Sequence, residues 1–260
     1  LATEQTNNEQ VSDRMPAIHV HLIPELVTVD ELAGKEALVI DVLRATTTIS
    51  YALANGATRV IPCLEVERAV RLAGELGDAL LGGERGGERI DGFDLGNSPR
   101  EYGSEVVRGK TIVFTTTNGT KAMQKCRSSK AVRLAAFANF SAVCDEVAEV
   151  GELHLVCAGT NQQITREDVL LAGALVDELL CRNGSSQTDC CDQATIARAA
   201  WRDAVEQLQA GPVASALRDS SGARNLIEIG QEEDIEIAAQ IDRVSIVPRL
   251  DLDKWEIRAD

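Results

Sequence analysis

Residues 37–55, ALVIDVLRATTTISYALAN, run an apolar strand into a helix through a polar turn. Ala37–Val42 is apolar everywhere except Asp41, as expected of a strand covered on both faces. Arg44 and the hydroxyls of Thr46, Thr47 and Thr48 follow, where a helix over Thr47–Asn55 begins. A buried strand that ends in a carboxylate and turns into a helix is the repeating unit of an open α/β sheet. Such sheets bind ligands outside the carboxyl ends of their strands.

The same unit recurs along the chain. Further strands are expected at Ile18–Ile23, Arg59–Cys63, Ala79–Leu81, Thr111–Thr115, Ala131–Ala135 and Leu153–Cys157, with a late one near Val244–Val247. Helices are expected between them at Glu65–Leu76, Gly119–Cys126 and Ser141–Val150. Beyond Cys157 the pattern turns helical, over Glu167–Asn183, Ala194–Gln209, Val213–Leu217, Ala223–Ile229 and Glu232–Gln240. The pattern predicts an α/β fold, a mostly parallel sheet sandwiched by helices, with a helix-rich C-terminal half. Residues 1–15 read as a disordered polar leader and 16–260 as a single domain.

Composition narrows the function. Apolar residues make up 44% of the 260 but aromatics only 3%, so Val, Ile, Leu and Ala must fill the core. A net charge of −15 argues against nucleic acid or an anionic membrane as partner. The charge is uneven: residues 84–121 hold six acidic and six basic side chains, whereas 228–260 hold ten acidic and four basic. A locally neutral island in an acidic protein suits a small anion. The seven cysteines show no CxxC spacing and several sit in apolar patterns, which indicates buried thiols in a reducing compartment. Cys190-Cys191 reads as a helix start rather than a redox pair. No apolar run approaches the roughly 20 residues of a membrane span. These features predict a soluble cytoplasmic protein.

Four loops at strand ends carry the chemistry. Asp41, suited to hold a metal or act as nucleophile, is followed by Arg44, suited to grip an anion at the helix terminus. Thr46 has a second reading as a helix cap. The stretch LGGERGGERIDGFDLGNSPREY (81–102) has six glycines among charged side chains, too many for a helix and too polar for a buried strand. It places Glu84 at the same sheet edge as Asp41, adds Arg85, and ends in Asn97-Ser98-Pro99, which reads as a helix N-cap with Pro at the first helical position. In TIVFTTTNGTK (111–121) a strand runs into Thr116, Thr117, Asn118 and Gly119, an oxyanion cradle or a plain Asn-Gly turn. The fourth loop follows Cys157 and leads to Asp168, a third carboxylate or simply an acidic residue favoured at a helix start. Asp94 is an alternative to it. The resulting candidates are Asp41, Arg44 and Glu84 for catalysis, and Asp41, Glu84 and Asp168 for a metal. Thr46, Thr47, Arg85, Asn97, Ser98, Thr116, Thr117, Asn118 and Gly119 are the candidates for substrate binding. Oxygen-only ligands favour Mg²⁺ over Zn²⁺, and metal, arginine and amide donors together are the equipment of phosphoryl transfer. His19 and His21 share one face of a strand by the period-two rule. A zinc site there would need third and fourth ligands that nothing nearby in the sequence supplies.

DVLRATTTI (41–49), GGERGG (82–87), IDGFDLGNSPREY (90–102), TTTNGT (115–120), CAG (157–159) and EDVLLAG (167–173) resemble the 2-phosphosulfolactate phosphatase (ComB) family. The resemblance runs from about His19 to Pro248. It implies an α/β fold, Mg²⁺ dependence and hydrolysis of (2R)-O-phospho-3-sulfolactate to 3-sulfolactate and phosphate, a step of coenzyme M biosynthesis. Two mechanisms stay open: attack by Asp41 to form an aspartyl-phosphate, or attack by water activated at the metal. The second is favoured because Leu43 stands where an Asp-x-Asp phosphatase carries its second aspartate. The competing functions are a phosphatase of another small phosphorylated carboxylic acid and a non-catalytic anion-binding module. The helical capping surfaces hint at a homodimer.

Overall fold

The computed structural model describes residues 17–182, 190–208 and 211–259, so the expected leader lies outside the described residues. Its strands are β1 (Ala17–His21), β2 (Glu36–Ile40), β3 (Arg59–Pro62), β4 (Ala79–Arg85), β5 (Glu88–Arg89), β6 (Thr111–Thr115), β7 (Ala131–Ala135), β8 (Glu152–Cys157), β9 (Arg249–Asp251) and β10 (Glu256–Arg258). They form one sheet in the order β1-β8-β2-β7-β9-β10-β3-β6-β4-β5. Strands β1, β8, β2 and β7 make one parallel block, and β3, β6 and β4 another. The antiparallel hairpin β9–β10 joins the two blocks, and β5 folds back on β4.

The helices are α1 (Val29–Leu32), α2 (Ala45–Ala54), α3 (Val66–Leu76), α4 (Ser104–Val107), α5 (Gly119–Lys125), α6 (Phe140–Glu146), α7 (Arg166–Arg182), α8 (Asp192–Leu208), α9 (Val213–Arg218), α10 (Ser221–Glu228) and α11 (Glu233–Ala238). Strand β2 shows why its sequence is apolar throughout. Leu38 and Ile40 join a core with Leu170, Leu171 and Leu175 of α7, while Ala37 and Val39 join a core with Ile49 of α2 and Met123 of α5. Alternate residues face opposite layers, and both layers are helical. The expected mostly parallel α/β sheet with a helix-rich C-terminal half is therefore the architecture observed.

One expected strand is corrected. Residues 244–247 are not a strand, although Val244, Ile246 and Val247 alternate like one. Their backbone bonds go elsewhere: Val244 N–H donates to Ala138 C=O at 2.9 Å, and Asn139 Nδ2 donates to Ile246 C=O at 3.1 Å. Pro248, which has no N–H, ends the segment by accepting from Leu134 N–H at 2.9 Å. The strand pairing falls instead to the hairpin that follows. Ser98 occupies the N-cap and Pro99 the first helical position as expected, but the helix is only the 3₁₀ turn Pro99–Glu101 and the Ser98 side chain does not cap it.

Helices α7 and α8 meet at Gly173, where a Cβ would stand 2.0 Å from Ala197 O and 2.9 Å from Trp201 Cβ. Gly173→Ala should lower stability by about 1–3 kcal/mol, the usual range for overpacking. A thermal melt would show this as a loss of roughly 2–4 °C per kcal/mol; an unchanged melting temperature would contradict the close contact.

Candidate active site

The turn after β2 is built by its own hydroxyls. Thr46 Oγ1 donates to Asp41 C=O at 2.8 Å and accepts from Asp41 N–H at 3.0 Å. Thr47 Oγ1 donates to Val42 C=O at 2.8 Å, and Thr48 Oγ1 donates to Asn97 C=O at 2.8 Å. Thr46 and Thr47 are buried and committed to this turn rather than turned to a ligand. Asp41 Oδ1 accepts from Ala45 N–H at 3.1 Å, so the carboxylate sits at the positive end of α2. Its Oδ2 faces Gly119, where a Cβ would approach to 2.6 Å. Only glycine lets α5 come this close.

Glu84 enters from the other parallel block, at the end of β4. Its Oε1 accepts from Thr117 N–H at 2.7 Å, and its Oε2 accepts from Gly87 N–H at 2.8 Å and Thr117 Oγ1 at 3.2 Å. Gly83 makes this possible: its φ is +135°, and a Cβ would lie 1.9 Å from Thr115 O. Arg85, the next residue, points away. It donates to Glu84 C=O at 2.7 Å, Leu64 C=O at 2.8 Å and Thr115 Oγ1 at 2.9 Å.

The two blocks enclose a cavity of about 340 Å³. Of the residues singled out by sequence, Asp41, Arg44, Glu84, Asn97, Thr117 and Asn118 line it. Asn97 Oδ1 is buried with no partner among the described residues, an acceptor left for whatever occupies the cavity. Thr46, Thr47, Arg85, Ser98, Thr116, Gly119 and Asp168 do not line it. Thr116 pairs with Thr120, Oγ1 to Oγ1 at 3.2 Å. Gly119 acts by being small. Asp168 lies behind the cavity, its Oδ1 accepting from Val42 N–H at 2.8 Å and its Oδ2 from Gly159 N–H at 3.0 Å. It ties the β2 and β8 loops together instead of joining the carboxylates that line the cavity.

The C-terminal helices supply residues that sequence reading missed. Arg44 is buried and donates to Asp234 at 2.7 Å, to Gln231 and to Gly87 C=O. Asp234 also accepts from Ser98 Oγ at 2.6 Å and Arg100 Nε at 3.1 Å. It lies inside the run Glu232-Glu-Asp-Ile-Glu236, where no local signal marks it as the buried member. Ser221, Gly222 and Asn225 of α10 form another wall, and Thr160, Asn161 and Gln163 of the loop after β8 a third.

Electrostatics single out Asp41. Burial raises its pKa to about 7, the nearby carboxylates of Glu84 and Glu167 add to the rise, and Ala45 N–H and Arg44 oppose it. Burial likewise pushes Asp168 well above the usual carboxylate range, with Glu167 and Asp41 adding to the effect. The carboxyls crowd one poorly solvated region, so ionising them together is costly there unless a cation is bound. Two cavity-lining carboxylates and the unpartnered Asn97 oxygen form an all-oxygen donor set, which fits a hard divalent cation such as Mg²⁺. The histidines hold a separate surprise. His19 and His21 share a face as read, and His154 joins them from β8; His19, His154 and Glu152 bring one ligand atom each within 4.8 Å of one another. The signal was Glu152-x-His154, which places both side chains on one face of a strand.

The 2-phosphosulpholactate phosphatase family matches residues 21–252 of this chain. A protein of Symbiobacterium thermophilum is 40% identical over 222 residues, covering 84% of this chain and 92% of its own. One of Thermotoga petrophila is 44% identical over 218 residues (83% and 89%), and one of Clostridium acetobutylicum is 34% identical over 222 residues (85% and 91%). Each of the three is named a probable 2-phosphosulfolactate phosphatase. With this match running from β1 to the C-terminal hairpin, the chain belongs to the 2-phosphosulfolactate phosphatase family and is a phosphoric monoester hydrolase.

Proposed function

We propose that this cavity hydrolyses (2R)-O-phospho-3-sulfolactate to 3-sulfolactate and inorganic phosphate with Mg²⁺ as cofactor, in the cytoplasm. The observation that carries the reading is the meeting of Asp41, Glu84 and Arg44 on one cavity. The relatives' printed names and the six sequence motifs support the choice of substrate. Charge balance supports the cofactor. Arg44 is the one cation among the lining residues, and Asp234 already offsets it. A phosphomonoester entering beside Asp41 and Glu84 would meet net repulsion. Held by Asp41 and Glu84, Mg²⁺ would neutralise the phosphoryl oxygens as the ester bond breaks.

The remaining steps belong to the protein. Arg44, fixed on three sides, presents a guanidinium that cannot swing away from the phosphate. Asp41 is the carboxylate placed to take a proton from the attacking water, and that proton then passes to the departing ester oxygen. Leu43, which lines the cavity at the second position after Asp41, carries no proton to the leaving oxygen, so a covalent aspartyl intermediate lacks its usual acid. Neutral donors on the opposite walls, Asn161, Gln163 and Asn225 among them, suit the carboxylate and sulfonate. The free thiols, with Cys63, Cys126, Cys144 and Cys157 buried, support a reducing compartment. Among the described residues no helix is long and apolar enough to cross a membrane.

Phosphate release from synthetic 2-phosphosulfolactate, phospholactate and phosphoglycolate, with Mg²⁺ and with EDTA, tests the whole reading. Mg²⁺-dependent turnover that prefers the sulfonated ester is expected. Turnover of phospholactate but not its sulfonated analogue would overturn the substrate, and no release from any ester would favour an anion-binding module. Inversion at a chiral phosphate is expected for direct water attack; retention would make Asp41 the nucleophile.

Asp41→Asn should reduce kcat by about 10²–10⁴, the worth of a positioned base. The same variant reports on the buried charge. In EDTA, native Asp41 holds its proton up to about pH 7, whereas the unfolded carboxyl releases it near 3.8. The native state therefore binds more protons between those values, so this group's contribution to stability falls as pH rises through that window and is flat above it. The melting temperature of Asp41→Asn should exceed that of the parent at pH 8, with the gap narrowing toward pH 4. A gap that does not change with pH would show that Asp41 is not held near 7.

A further inference from the structure

His19 and His154 are register partners on the parallel strands β1 and β8, with ring centroids 4.6 Å apart and an interplanar angle of 16°. Glu152 lies two residues before His154, on the same face. Its Oε1 is 3.3 Å from His154 Nε2 and 3.8 Å from His19 Nε2. One ligand atom from each of the three falls within 4.8 Å of the others. A tetrahedral ion with ligands at about 2.0–2.1 Å needs them roughly 3.3 Å apart, so small side-chain rotations close the set. None of the three residues lines the phosphatase cavity. We propose that His19, Glu152 and His154 form a second metal site, for a divalent transition metal of the Zn²⁺ class, with solvent in the fourth position.

The surroundings are those of a ligand set with a built support. His154 is buried, and its Nδ1 lies 3.0 Å from His21 Nε2, itself buried beneath the cluster. Metal-ligating histidines commonly donate their second ring nitrogen in this way, which fixes ring orientation. His21 Nδ1 has no partner among the described residues, so no bond fixes the tautomer of that ring. His21 can donate to His154 when His154 Nε2 bonds Glu152, and accept from it when His154 Nε2 holds a metal. Lys35 Nζ bonds Glu152 Oε2 and leaves Oε1 to the site. Imidazole donors select this metal class, whereas the all-oxygen cavity selects Mg²⁺. The ion would staple β1, the edge strand, to its neighbour β8.

Co²⁺ titration of the metal-free full chain, read by absorption, tests the site. The expected result is one Co²⁺ per chain with visible bands of tetrahedral intensity and no thiolate charge-transfer band in the near ultraviolet. His19→Ala and Glu152→Gln, both at partly exposed side chains, should lose at least about tenfold in affinity. His21→Ala should lose about 10–100-fold, as outer-shell partners do, and Asp41→Asn should bind unchanged. Zn²⁺ should raise the melting temperature of the parent but not of His19→Ala, while His19→Ala keeps its Mg²⁺-supported phosphate release. Unchanged Co²⁺ spectra in both His19→Ala and Glu152→Gln would overturn the site. A thiolate band would assign the ion to a cysteine, and loss of the bands in Asp41→Asn would assign it to the phosphatase cavity; either also overturns it.

Discussion

Asp41 leaves β2 still inside the protein, and its carboxylate must be held there against the preference of charge for water. Much of the nearby sequence follows from that placement. The first turn of α2 gives it an N–H, the Thr46 hydroxyl locks its backbone, and Gly119 lets α5 approach where any side chain would collide. Glu84 and Glu167 then make the site more negative instead of less. A fold under selection for stability alone would place apolar residues here, since replacing buried charge by packed apolar groups is often neutral or stabilising. The carboxylates make sense as equipment for a cation and an anion that arrive together.

The pair Arg44–Asp234 shows how the C-terminal half completes a site begun in the N-terminal half. Arg44 could not remain buried without a partner, because an isolated guanidinium in the interior is prohibitively costly. Asp234 answers that need from 190 residues away and gathers Ser98 and Arg100 onto its other oxygen. Three segments, the turn after β2, the loop after β5 and α11, are thereby fixed to one carboxylate. The guanidinium is rigid because both of its ends are occupied, and rigidity is what a group must have to stabilise a transition state without reorganising.

Sequence reading reached the sheet and six of the residues that line the cavity, and the division has a physical cause. Strands such as Ala37–Ile40 announce themselves because both faces are buried, and Asp41 and Glu84 stand out because carboxylates at the ends of apolar strands are rare. Residues whose role depends on a distant partner left no such mark. Asp234 looks like any acid in a solvated helix until Arg44 is placed against it. Arg85 and Ser98 look available until Leu64, Thr115 and Asp234 are seen to engage them. Asp168 was placed on the correct edge, but periodicity cannot tell a carboxylate facing a cavity from one that binds two backbone N–H groups behind it. Val244–Val247 alternates like a strand, yet the carbonyls of Phe137 and Ala138 had already claimed the N–H groups of Asp242 and Val244.

The overall charge of −15 sets a last constraint on how such a site can work. Long-range attraction cannot bring a multiply charged anion to this protein, since the field of the whole molecule opposes it. At physiological ionic strength that field is screened beyond about 8 Å, so binding is decided inside the cavity mouth. There the charge is locally balanced, with six acidic and six basic side chains between residues 84 and 121. A divalent cation is drawn by the same net charge that repels the substrate. If the cavity takes a divalent cation and an anion as proposed, the net charge would favour the cation binding before the anion.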